Sequence, residues 1–361
     1  MMQSNLQLTC ISLLSIISLF FSLRSCNPLS TNGINTSQFT PIPTITKPTI
    51  MVVAPALSAN TPSSVISTNT FVDKEKILIL NPNNQITLSD PDGQNARQYL
   101  LEPNVIAAAL SPDGKKIAYD REEPLNNVIF LLDVQTGRST QVSQGQIGGH
   151  PAIILWSPNG DRLVLSCTVG DSSVFQIYTV DLSSGALTPL TSFTNGLPFT
   201  TVSFDSMSSN GDTIGFTTST IPPQGGFSQG ALQLLDIKSR QIKTVLDEQH
   251  SGDIIRIGGA YLSSDGKTVY FIGKQNDHYR VFRIGVDGSH LQQVTQENAS
   301  YDIAEPLVFS PDGTSFFAFT ADQQAGDPNG VPTLFSTDGS LTRQLSDYPN
   351  GKVVSWIKVP Q

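Results

Sequence analysis

Three of the four histidines, His150, His250 and His278, stand in polar stretches with carboxylates close by in sequence. Asp247 and Glu248 precede His250 in DEQHSGD, His278 lies in QNDHYR, and SYDIAE carries Tyr301 and Glu305. Imidazole nitrogens and carboxylate oxygens are the donor set of a divalent metal site. The histidines come from three distant segments with no ligand spacing within any one of them, so the sequence implies solvated loop histidines and neither a metal nor a cofactor. His150, Asp247, His250, His278, Tyr301 and Glu305 are the candidate binding residues.

Other motifs with a chemical reading are weaker. GFSQG, Gly226 to Gly230, has the form of a nucleophile elbow, which needs a strand before it and a helix after it; here a Pro/Gly loop precedes it and the strand-like ALQLLDI follows. Ser228 is therefore expected in a loop, not as a nucleophile. SDPDGQN, Ser89 to Asn95, alternates acids before a Gly, but a calcium loop needs Glu at its twelfth position, and counting from Asp90 that position is Leu101. A hairpin turn is the expectation there. Cys167 has neither a Cys nor a His at ligand spacing and reads as a small apolar residue.

The segments that must hold these residues repeat. SPDGKKIAYD from Ser111 returns as SPNGDRLVLS from Ser157, SSDGKTVYFI from Ser263 and SPDGTSFFAF from Ser310, with a degraded copy, DSMSSNGD, at Asp205 to Asp212. Pro at the second place presets φ for a type I turn, Asp suits the third, and Gly takes the left-handed conformation that returns the chain. Apolar runs on both sides make each copy a hairpin, and a second hairpin follows it, as in VIFLLDVQTGRSTQVS from Val128. The period measured between Asp113, Asn159, Asn210, Asp265 and Asp312 is 46, 51, 55 and 47 residues, that of β-propeller blades.

The first hairpin occurs five times and the second six. The N-terminal copy lacks a first strand, and VVSWIKV, Val353 to Val359, supplies one at the other end of the chain. This predicts an all-β, six-bladed β-propeller over residues 71–361, closed by its C-terminal strand. Strand parity then puts every SPDG turn on one face. The opposite face collects the longer connections, including Ser143 to Pro151, Asp247 to Ile257, Gly273 to Arg280 and Thr295 to Glu305, where binding residues are expected. His290 falls on the short-turn face.

Strings such as EPLVFSPDGTSFFAF resemble the TolB-type propeller repeat of bacterial envelope proteins over about Phe71 to Gln361. That resemblance implies an exported protein that binds or scaffolds other envelope components. The N-terminus agrees. Gln7 to Leu23 is apolar and uncharged but studded with Ser, which predicts a signal peptide over 1–25, and LRSC at Leu23 to Cys26 resembles the lipobox at which the Cys is diacylated. Residues 26–70 are rich in Thr, Ser, Pro and Asn, with Lys47 as their only charge, a composition that cannot bury enough apolar surface to fold.

A formal charge of −9 argues against a nucleic-acid partner. The reading is a monomeric binding or scaffolding propeller anchored in the membrane through Cys26, with an envelope protein or glycan as partner. The alternative is a metal-assisted lyase or lactonase acting at the long-loop face of the central channel.

Overall fold

The computed structural model describes residues 75–81, 85–100, 105, 107–122, 127–142, 154–168, 174–193, 200–220, 229–297, 299–322, 330–348 and 350–359. The expected signal peptide, Cys26, the expected tether, His150 and Ser228 lie outside them. Every regular element among the described residues is a β-strand, and the 24 strands form six four-stranded antiparallel sheets.

From the innermost strand outwards, blade 1 is Lys352–Lys358, Glu75–Leu80, Gln85–Ser89 and Arg97–Leu100. Blade 2 is Ala108–Leu110, Lys116–Glu122, Asn127–Asp133 and Ser139–Gln141, and blade 3 is Ile154–Trp156, Arg162–Cys167, Gln176–Asp181 and Leu187–Pro189. Blade 4 is Thr200–Met207, Thr213–Thr220, Gln229–Asp236 and Ile242–Asp247. Blade 5 is Ile255–Leu262, Thr268–Gln275, His278–Gly285 and Gln292–Gln293, and blade 6 is Tyr301–Phe309, Ser315–Asp322, Gly330–Ser336 and Leu341–Gln344. Each innermost strand contacts those of the blades before and after it, and the innermost strand of blade 6 contacts that of blade 1. The ring is closed, with six blades.

Blades stack face to face, so successive side chains on one strand enter different cores. Ile77 and Ile79 pack with Phe317, Leu334 and Trp356 between blades 6 and 1, whereas Leu78 between them packs with Leu110 and Ile117 between blades 1 and 2. Leu163 and Leu165 face blade 2, and Val164 faces blade 4. Two buried faces explain why the second strands read as unbroken apolar runs such as RLVL and KILIL, without alternation. The richest interface is aromatic: Tyr261 stacks on Phe309 at 3.8 Å between ring centroids, and Phe316 and Phe335 continue the stack into blade 6.

The C-terminal strand pairs antiparallel with Glu75–Leu80, from Glu75 opposite Lys358 to Leu80 opposite Lys352, with one register shift after Leu78. Polar groups stitch inner strands across interfaces. The Leu110 amide donates to Ser355 Oγ at 3.0 Å, Trp156 Nε1 to the Ala109 carbonyl at 3.0 Å, and the Leu262 amide to Ser206 Oγ at 2.5 Å. Trp356 does not repeat the role of Trp156; its Nε1 donates within blade 1 to Glu75 Oε2 at 2.9 Å.

All five turns between first and second strands have one geometry, the degraded copy included. The Gly amide donates to the Ser carbonyl at 2.8 Å in each, and the Gly residues have φ between 69° and 74°. The Ser hydroxyl is the hub: Ser111 Oγ donates to Asp113 Oδ1 at 2.6 Å and accepts the Lys116 amide at 2.9 Å, and Ser263 and Ser310 do the same in their blades. Turns of neighbouring blades also nest. A Cβ on Gly211 would lie 3.2 Å from Pro158 Cδ, and one on Gly160 4.0 Å from Pro112 Cδ, so the Pro of one turn abuts the Gly of the next.

The second-hairpin turns are built on a carboxylate that accepts from the residues after it. Hydrogen bonds from the Ser183 and Ser184 hydroxyls and their backbone amides hold Asp181 down at about 2, and the hydroxyls of Ser336 and Ser340 hold Asp338 at about 2. SDPDGQN is a turn of this general kind, with the Gly93 amide on the Asp90 carbonyl at 2.8 Å and Asp90 paired to Lys76.

Two outcomes are expected. Ending the chain at Lys352 removes Val353 and Trp356, which are 3% and 7% exposed, and the half-buried Val354 and Ile357. At ~1.5 to 3 kcal/mol each, the upper estimate is roughly 6 to 12 kcal/mol, comparable with the about 5 to 15 kcal/mol that holds a whole domain. Thermal unfolding of the truncated chain should show no cooperative transition near that of the parent; one within a few degrees of it would refute closure. The turn aspartates supply the second. Their folded values lie below the ordinary 3.8, so their stabilisation is complete above about pH 4 and is lost as pH falls towards about 2. Asp181→Asn should melt lower than the parent at pH 6, with the gap closing at pH 2; a gap independent of pH would contradict the assignment.

Candidate binding face

The expected candidates do not all lie in loops. Asn276 and Asp277 have φ of 50° and 64°, the two positive values of a type I′ hairpin, and Gln275 pairs directly with His278. Gly273 to Arg280 is therefore a tight hairpin instead of a long connection, and His278 opens a strand. Tyr301 and Glu305 belong to the innermost strand of blade 6, because that strand runs nine residues from the mouth of the channel, and Asp247 ends the outer strand of blade 4. His250 alone among the described candidates sits in a turn.

His250 and His278 each lie beside a different carboxylate. Asp247 Oδ1 accepts the Gln249 and His250 amides at 3.1 and 3.0 Å and lies 2.6 Å from His250 Nδ1. Burial acts to raise the Asp247 carboxyl, but the hydrogen bond and charge of His250 and the two amides outweigh it and hold it below the usual range. His278 Nδ1 is 3.7 Å from Asp302 Oδ1, on blade 6. Among the described residues no three His, Cys, Asp or Glu side chains are grouped so as to hold a metal ion. Cys167 is buried, and burial pushes its thiol up to about 12, as expected of an inert side chain.

The structure adds residues that the motifs did not point to. Arg280 is 2% exposed, and its guanidinium donates to the carbonyls of Tyr279 and Tyr301, both at 2.9 Å, of Glu297 at 3.0 Å and of Ala299 at 3.1 Å. One buried cation thus fixes the connection from blade 5 to blade 6. The signal was legible: strand alternation puts Arg280 on one face with Phe282 and Ile284, an inward charge among apolar residues. Asp302 is held in turn by the Tyr279 amide at 3.0 Å and by Arg280 Nη1 at 3.5 Å.

Glu248 performs a similar task between blades 4 and 5, accepting the amides of Gly230 at 2.8 Å and Arg256 at 2.7 Å. Gly230 is required there, since a Cβ would come within 2.6 Å of the Ile257 carbonyl. Arg256 Nη1 reaches Tyr279 Oη at 3.2 Å. Midway along the innermost strand of blade 6, Glu305 lies against Gly258 of blade 5, whose Cβ would stand 2.7 Å from its carboxylate. Lys352 of blade 1 lines a narrow crevice with Pro306, Phe319 and Pro332. Burial pushes the Lys352 amine down, and the charge of Glu305 offsets this in part.

Arg280→Met would strip four carbonyls and a carboxylate of their buried donor, at a cost of about 3 kcal/mol or more in urea unfolding, with Arg280→Lys recovering only part. A loss below ~1 kcal/mol would show that the clamp is dispensable.

Comparison with known proteins places this architecture. Residues 64–220 match the TolB beta propeller domain. TolB from Acinetobacter baumannii superposes with a TM-score of 0.59 at 20% identity, covering 78% of this chain and 66% of that one. A TolB-type protein of Agrobacterium tumefaciens does so with a TM-score of 0.56 at 20% identity, covering 78% and 92%. An oligogalacturonate lyase of Vibrio parahaemolyticus shares the fold more distantly, at 14% identity and a TM-score of 0.51 over 75% and 74%. With the blade count, the closing strand and the turn geometry, these matches show a six-bladed β-propeller similar in fold to those of TolB proteins, with residues 64–220 resembling the TolB beta propeller domain.

Proposed function

We propose that this chain is an exported binding or scaffolding propeller of the bacterial cell envelope. It works as a monomer, held to the membrane through a lipid on Cys26, with residues 26–70 as its tether. A flexible chain of that length has a root-mean-square span of roughly 40 Å, enough to let the propeller reach partners beyond the lipid headgroups. The partner is an envelope protein or glycan, engaged on the long-loop face around Asp247, His250, His278, Tyr301 and Glu305, with His150 on the same face.

The observation that carries this reading is how the described part of that face is built. Three of its charged groups are spent on separate main-chain contacts: Asp247 on its own turn, Glu248 on two blades, Arg280 on four carbonyls. They hold a surface rigid and do not converge on one reacting point, which suits recognition more than acid–base chemistry.

Two measurements on cells test it. Cys26→Ala should move the protein from the membrane to the soluble fraction, because the acyl chains contribute ~0.8 kcal/mol per buried CH₂; unchanged fractionation rejects the anchor. A photo-crosslinker at His278 should give a defined adduct that one at Thr136, on the short-turn face, does not. Identical patterns from both positions would reject the face.

A further inference from the structure

The five first turns are not chemically alike. In blades 2, 5 and 6 the third turn residue is an acid, Asp113, Asp265 or Asp312, and the residue after the Gly is Lys115, Lys267 or Thr314. In blades 3 and 4 the order is exchanged: Asn159 and Asn210 take the third place, and Asp161 and Asp212 follow the Gly. Each turn thus carries one carboxylate. Ser157 Oγ donates to Asp161 Oδ1 at 2.9 Å, and Asn159 donates to the same carboxylate. Asn210 Oδ1 accepts the Ser208 hydroxyl at 2.7 Å and the Asp212 amide at 3.1 Å, while its Nδ2 donates to Asp212 Oδ2 at 3.2 Å. The neutral amide is what lets an aspartate stand two residues on without a like charge beside it.

We propose that Asn159 and Asn210 are deamidation sites, and that their conversion sets a second carboxylate against Asp161 and Asp212 and loosens the nesting of blades 2 to 5. The main-chain nitrogen of Gly160 or Gly211 attacks the Asn Cγ; the new C–N bond closes a five-membered imide, and the side-chain nitrogen leaves as ammonia. Water then opens the imide at one of its two carbonyls, giving aspartate or isoaspartate. No Cβ on the following residue obstructs the attack, and both Asn side chains are exposed. In blade 4 the Ser208 hydroxyl already sits on Asn210 Oδ1, where negative charge develops. The attacking amides donate to Ser157 and Ser208 carbonyls at 2.8 Å, so opening of the turn gates the reaction.

The consequences follow from what the turns touch. Isoaspartate lengthens the backbone by one carbon inside a turn whose Gly211 abuts Pro158 and whose Ser209 Oγ donates to the Ser264 carbonyl at 3.1 Å. Even the unlengthened product places two carboxylates where an amide and a carboxylate were 3.2 Å apart.

The test is peptide mapping by mass spectrometry of the full chain held at mildly alkaline pH. Asn159 and Asn210 should gain acid character while Asn276, followed by Asp277, stays an amide. Both remaining amides over the time in which Asn32–Gly33 converts would overturn the assignment. The electrostatic part is read from variants: Asn210→Asp should melt several degrees below the parent at neutral pH, and Asn210→Asp/Asp212→Asn, which restores the Asp-first order of the other blades, should regain most of the loss. A single variant as stable as the parent, or a double variant no better than the single, would contradict it.

Discussion

The pairing of Lys352–Lys358 with Glu75–Leu80 is the constraint on which the rest of the molecule rests. Five blades are built from consecutive segments and would form wherever the chain folds locally. The sixth joins residues at the two ends of the propeller and must wait for the ring to come round. Once made, it completes two cores together, since Ile77, Ile79 and Trp356 pack against blade 6 and Leu78 against blade 2. Every other interface is then held at a fixed angle, because six blades share one circle.

The two faces of the ring divide the polar work. On the short-turn side, serine hubs, glycines at positive φ and carboxylates saturated by hydroxyls and amides make stiff corners that nest against one another. On the opposite side, buried or half-buried charges pin longer connections: Arg280 between blades 5 and 6, and Glu248 between blades 4 and 5. Both sides use the same device, an ionised or hydroxyl group that accepts or donates several main-chain hydrogen bonds at once. Tyr279, Arg256 and His278 stand half-buried on this second side.

The architecture was legible because a propeller turns the same corner repeatedly. The spacing from Asp113 to Asp312, the unbroken apolar second strands and the orphan strand at VVSWIKV each translate one to one into turns, doubly buried strands and the closing strand. The binding face was legible only in part. Asn276–Asp277 contains no Gly, so the type I′ hairpin that moves His278 into a strand is not announced by the usual dipeptide. The innermost strand of blade 6 runs back through Tyr301, and its polar residues Asp302 and Glu305 made it resemble a loop. Strand alternation marks Arg280 as an inward charge, but its partners and those of Glu248 are main-chain carbonyls and amides, which have no side-chain signature in a sequence.

The closure claim is tested most directly by native-state hydrogen exchange on the full chain. Amides of Lys352–Lys358 and Glu75–Leu80 that are bonded across the closing pair should exchange only through global unfolding, with the same free energy as those of Ser315–Asp322 in the centre of blade 6. Exchange of the closing pair through a separate, low-energy opening, while the centre of blade 6 stays protected, would show a terminal strand that frays by itself and a ring that does not depend on it.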